Sequence, residues 1–174
     1  MPNIIDSYYS QHNELSNFLA QNKEISLKSD ADSRFTKVLV LASASYFEER
    51  ILECLSRYSN EVLAGDDKIM SLLKAKAFER QYHTLFDWKE NNANRFFSHF
   101  GDEIKKKHKE DIQVNDRLRN CEKDFMTLGR LRNVLVHSNF AIVPITETHT
   151  EVYDKFKNAV EFVKYIESIF QVNS

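Results

Sequence analysis

The stretch RFTKVLVLASASYFEERILECLSRYSNEVL, residues 34–63, decides the fold class. Phe35, Val38, Leu39, Ala42, Tyr46, Ile51, Leu52, Leu55, Tyr58 and Val62 recur at three- and four-residue intervals. That spacing lines one broad face of an α-helix, whereas a half-buried strand would alternate apolar and polar residues. No glycine or proline interrupts the run, and Gly65 beyond it is a natural helix stop.

The same period continues on both sides. Upstream, Ile4, Ile5, Tyr8, Leu15, Phe18 and Leu19 predict a helix over roughly 4–22. The polar stretch KEISLKSDADS (23–33) reads as a connection, with Ser29, Asp30 and Ser33 as cap candidates. Downstream, Asp66 opens a third helix through Ile69, Met70, Leu73, Ala77, Phe78 and Tyr82. Residues 83–100 read as a turn and a short aromatic-rich helix, and DEIKKKHKEDI (102–112) as a charged surface helix. A fifth main segment covers about 114–137, and Pro144 falls in a loop. Thr148 and Glu151 form a capping-box signature. The closing helix, about 149–171, buries Val152, Phe156, Val160, Val163, Ile166 and Phe170. The expected architecture is all-α: an up-and-down bundle of four to five main helices plus short extra helices. Residues 1–33 form an N-terminal helix and linker, and 34–172 the helical domain, one compact unit overall.

Composition narrows the function. With 174 residues the chain is one domain long and needs no disulfide or metal to hold a core. Its three glycines, Gly65, Gly101 and Gly129, are far apart, so no backbone loop can approach phosphate as a P-loop or dinucleotide fingerprint requires. Cys54 and Cys121 stand alone, which removes zinc ribbons and thioredoxin-like chemistry and suits a reducing compartment. A net charge of −2 imposes no global basic field. The N-terminus, MPNIIDSYYS, carries no signal-peptide pattern, and VLVLASASYF (38–47) is too short to span a bilayer. The expectation is a cytoplasmic protein with no membrane partner.

The fifth helix carries an arginine where a leucine would be expected. On a helical wheel, Leu118, Cys121, Phe125, Leu128, Leu135 and Val136 all fall within about 60° of Arg132. A guanidinium on an apolar stripe must satisfy five donors, so Arg132 either pairs with a buried carboxylate or lines a cleft that an anion can reach. Glu48, Glu49 and Glu53 are the carboxylates in the long helix that compete for it, and spacing does not choose among them. Asn133 and His137 stack one turn apart, about 100° to 140° from Arg132, on a side shared with Arg119, Met126 and Arg130.

The run LGRLRNVLVHSNF (128–140) resembles the R-x4-6-H motif of HEPN domains: Arg132, four residues, then His137, with polar Asn133 directly after the arginine. The segments LVLASASYFEERILECLSRY (39–58) and NNANRFFSHFG (91–101) resemble the RiboL-PSP branch of that family. The resemblance implies an all-α homodimer whose two motifs face each other across a cleft. It implies a metal-independent endoribonuclease with RNA as substrate, of a kind common in toxin–antitoxin modules and antiphage defence. Regulation by an antitoxin or a neighbouring protein fits that setting. Arg132, His137 and Asn133 are then the catalytic candidates. The sequence departs from the common pattern with Val136 before the histidine and Ser138 after it. Asn139 stands where one branch carries a tyrosine that accepts a nucleotidyl group.

The chemistry fits those side chains. RNA supplies its own nucleophile, the 2′-OH. An imidazole with an ordinary pKa of about 6.5 suits proton transfer near neutral pH. A guanidinium grips two phosphate oxygens and stays charged. No cofactor is expected. His12, His83, His99, His108 and His149 show no metal-ligand spacing along the chain, so no metal site is expected. Arg119, Arg130, Lys105, Lys106 and Lys107 are candidates for RNA phosphate, against the default of a solvated helix face. Phe86, Trp88, Phe96, Phe97 and Phe100 are candidates for base stacking, against the default of a local core. Two other readings stand beside the nuclease: a non-catalytic HEPN-like module binding a partner protein or nucleotide, and an unrelated bundle carrying the motif by coincidence.

Overall fold

A computed structural model describes residues 3–63, 66–78 and 81–171. Helix α1 spans Ile4–Gln21 and opens on a reciprocal cap. The Asp6 amide donates to Asn3 Oδ1 at 2.9 Å, and the Asn3 amide to Asp6 Oδ2 at 3.0 Å. A tight turn follows, with Lys23 at φ 58°, a left-handed conformation that costs a side-chain-bearing residue about 1 kcal/mol. Helix α2 then runs 38 residues, Ile25–Val62.

That start corrects the expected one. The polar stretch is helical from Ile25, and the cap candidates Ser29, Asp30 and Ser33 lie inside α2. The physical reason is local pairing one turn apart: Lys28 Nζ lies 2.5 Å from Asp32 Oδ2, and an Arg34 guanidinium nitrogen 3.0 Å from Asp30 Oδ2. Such pairs let a polar segment extend a helix whose remainder is held by the core. The predicted stop, Gly65, lies outside the described residues.

Helix α3, Asp67–Leu73, is capped by Asp66 and continues as one π-helical turn, Lys74–Phe78. It does not run on to Tyr82, which instead opens the short α4, Tyr82–Leu85. After α5, Asn94–Ser98, come α6, Asp102–Val114, and α7, Asp116–His137. Helix α8, His149–Ile169, starts at the predicted box: Glu151 N donates to Thr148 Oγ1, and Thr148 N to Glu151 Oε2. Among the described residues there is no strand. The fold is all-α, as the periodicity predicts.

The core lies where α2, α7 and α8 meet, and it is aromatic. Phe47, Phe125, Phe156 and Phe162 are buried there, with Phe47 5.3 Å from Phe156 between ring centroids. The loop before α5 and α5 itself extend it: Phe86 stacks on Phe96 at 4.8 Å, nearly parallel. Phe86, Phe96 and Phe97 are therefore core, while Trp88 and Phe100 are half-buried against it.

Helix α6 differs from its predicted role in one residue. Beside the exposed Lys106, Lys107 and Lys109, His108 turns inward and is buried. Its Nε2 lies 2.9 Å from Glu122 Oε1 of α7, which also accepts the Ala93 amide at 2.7 Å. No described helix is long and apolar enough to cross a membrane.

Candidate active site

Helix α7 positions the motif. Asn115 caps it, its side chain accepting from Leu118 N at 3.0 Å, and the helix ends at His137. Its inner face anchors it through buried Cys121, Phe125, Leu128 and Leu135. The outer turn does not follow the wheel. Val136, placed on the apolar stripe, is 51% exposed, with Val134, Phe140 and Ile142 also exposed beside it. The last turn is thus two-sided: Leu135 is buried in the core, while Val134 and Val136 on either side of it are exposed.

Arg132 is half-buried. It lines a narrow crevice with Ala44 and Phe47 of α2, Tyr82 and His83 of α4, and Trp88, Phe125, Gly129 and Asn133. Its Nη1 donates to Asn133 Oδ1 at 3.2 Å. Among the described residues no carboxylate lies within ion-pair distance of it. Of the two sequence alternatives, the cleft-lining one holds for these residues. Glu49 and Glu53 are exposed and Glu48 is half-buried. Burial raises the pKa of the Tyr82 hydroxyl, Glu48 adds to that, and Arg132 partly offsets it.

His137 is exposed and makes no side-chain hydrogen bond to a described residue. It is displaced from Arg132 by about 140° around the helix and ~7.5 Å along it. Asn133, half-buried, stands one turn before it. Within one chain the guanidinium thus faces the crevice and the imidazole faces outward at the helix end.

The other candidates are dispersed. Arg130 is exposed. Arg119 stands ~20 Å along α7 from Arg132. There it donates to the last carbonyls of α6, Ile112 at 3.0 Å and Gln113 at 3.1 Å, and pairs with Asp116 at 2.8 Å. Met126, on the same wheel edge, is buried. Lys106 and Lys107 are exposed on α6 and Lys105 is half-buried; Lys106 reaches Glu110 at 3.9 Å.

Two features escape sequence reasoning. Trp88 lies directly on Gly129, one turn before Arg132 and Asn133. His12, Asp32 and His149, from three helices, converge with their ligand atoms within 4.8 Å of one another. Spacing along the chain carries no trace of either, because both arise from tertiary packing: a loop residue laid on α7 in one case, three helices brought together in the other.

The family model of RiboL-PSP-HEPN matches residues 6–172, nearly the whole chain, and the chain belongs to that family. No curated protein and no solved structure matches it significantly.

Proposed function

We propose that this protein is a metal-independent endoribonuclease that works as a homodimer, in the setting of a toxin or an antiphage-defence effector. One observation carries the reading. The half-buried Arg132 lines a crevice with no carboxylate partner among the described residues, while His137 ends the same helix exposed among Val134, Val136 and Phe140. Exposed apolar side chains around a polar tip are what a second copy would cover. A two-fold axis there brings two histidines and two arginines to one cleft.

In that cleft one His137 takes the 2′-OH proton and its symmetry mate protonates the leaving 5′-oxygen. Arg132 holds the phosphorane oxygens with its planar fork, oriented by the Asn133 side-chain oxygen. The products are a 2′,3′-cyclic phosphate and a 5′-OH. An antitoxin or neighbouring protein restrains the activity in the cell.

The test is purified protein with single-stranded and structured RNA in magnesium-free buffer, followed by end-group analysis. The expected result is cyclic-phosphate ends, absent with His137→Ala, and a dimer in sedimentation. A folded wild type that cleaves none of these RNAs, or cleaves only with Mg²⁺, overturns the proposal. The first result would favour the non-catalytic binding module.

A further inference from the structure

We infer that His12, Asp32 and His149 form a Zn²⁺ site that clasps α1 to α2 and to the start of α8. It is separate from the proposed cleavage chemistry and takes no part in it.

The geometry is close to a coordination shell. His12 Nε2 lies 2.8 Å from Asp32 Oδ1. The His149 ring stands edge-on to His12, with centroids 5.0 Å apart and planes at 78°. One ligand atom from each residue lies within 4.8 Å of the other two. Zn²⁺ bonds of about 2.0–2.2 Å put tetrahedral ligand atoms about 3.3–3.6 Å apart. The His12–Asp32 pair therefore opens slightly as the metal replaces the shared proton, and His149 draws in by side-chain rotation.

The surroundings favour an ion over a simple hydrogen bond. His12 is buried, and its ring plane is held by stacking on Phe35 at 3.9 Å and 9°. Lys28 Nζ occupies the other oxygen of Asp32 at 2.5 Å, which orients Oδ1 toward the histidines as an outer partner does for a metal ligand. His149 is half-buried against these rings, yet neither of its nitrogens hydrogen-bonds a described residue. A surface cleft of about 450 Å³ opens on the cluster, lined by Thr36, Glu147 and Thr148 among others. It has room for a water at the fourth position. Two imidazoles and one carboxylate suit Zn²⁺, whereas Mg²⁺ and Ca²⁺ prefer all-oxygen shells.

The site also bears on the motif's own loop. Lys37, next to Thr36, donates to the carbonyls of Phe140 and Ala141 at 2.9 and 3.3 Å. With Zn²⁺ on His149, the segment after His137 is tied to α2 at both ends.

The test uses the chelator-treated full chain, titrated calorimetrically with ZnCl₂, with Co²⁺ as a spectroscopic substitute. The expected result is one equivalent bound per chain, a higher Tm, and the visible absorption of tetrahedral Co²⁺. His149→Ala and His12→Gln lose all three, while His99→Ala, on an exposed residue, keeps them. Circular dichroism checks each fold. If either variant fails to fold, the isosteric Asp32→Asn carries the test and weakens binding about tenfold or more. A wild type that takes up no zinc at equimolar metal overturns the inference, as do folded His149→Ala and His12→Gln variants that bind as tightly as wild type. Because the readouts are stoichiometry, Tm and absorption, they stand or fall independently of RNA cleavage.

Discussion

The Trp88 indole packs directly against Gly129, in the space a side chain there would need. A Cβ added to that glycine would sit 1.9 Å from Cζ3 and 2.1 Å from Cε3 of the indole. The ring has little freedom to yield. Its Nε1 donates to the His83 carbonyl at 3.0 Å, and Phe86 and Phe125 flank it at 4.8 and 5.9 Å. This contact explains a helix-interior glycine that by propensity alone costs about 1 kcal/mol relative to alanine.

Gly129→Ala therefore destabilises the fold despite its better helix propensity, because an overpacked methyl costs about 1–3 kcal/mol. Denaturant melts of Gly129→Ala, Trp88→Leu and the double variant form the cycle. The double variant should lose less than the sum of the singles. A Gly129→Ala protein as stable as wild type would mean the indole moves freely.

The His108–Glu122 pair joins α6 to α7 with both side chains buried. Glu122→Ala leaves a buried imidazole and the Ala93 amide without their acceptor, at a cost of about 1–3 kcal/mol for each group left unpaired. Glu122→Gln costs less, since its side-chain oxygen still accepts from Ala93. Urea midpoints separate the two, and equal midpoints for Glu122→Ala and wild type would refute the assignment.

The fold loses stability at alkaline pH through its tyrosines. Burial, aided by the hydrogen bond to Asp6 at 3.0 Å, pushes the Tyr153 phenol up to about 12 from an ordinary 10.0. Burial and a bond to Asp111 raise Tyr165 as well. Unfolded chains ionise these phenols first. Their contribution is thus full below pH 10.0 and is lost as pH rises toward about 12. Stability measured against pH falls over that window, and Tyr153→Phe should flatten the fall. An unchanged slope would exclude Tyr153 as a contributor.

Arg132→Lys separates charge from geometry. The ammonium retains the charge but not the planar fork, so RNA cleavage should drop about 10²–10³-fold. His137→Ala should change stability by no more than about 0.5 kcal/mol, because the side chain is exposed and unbonded to described residues. Thermal melts beside cleavage assays check both. Full activity in Arg132→Lys would show that a point charge suffices.

The helices and the motif were legible in the sequence wherever a residue's neighbours along the chain decide its state. The apolar stripe of α2, the Thr148–Glu151 cap and the anomaly of Arg132 are all set within one or two turns. Periodicity therefore placed α7 and α8 nearly to their ends. It failed for 25–33, because i,i+4 pairs and docking on α1 make a polar segment helical without an apolar stripe of its own. It also failed for Val136, which the wheel turned inward although it is 51% exposed, next to buried Leu135.

Only the tertiary structure could decide which distant residues touch. Trp88 over Gly129 is the product of a loop laid on α7, and Glu122 under His108 and His149 beside His12 and Asp32 are products of how helices stack. Local sequence specifies which face of a helix is apolar. The partner that each side chain finds on that face depends on the crossing and register of a second helix, and those are properties of the assembled bundle.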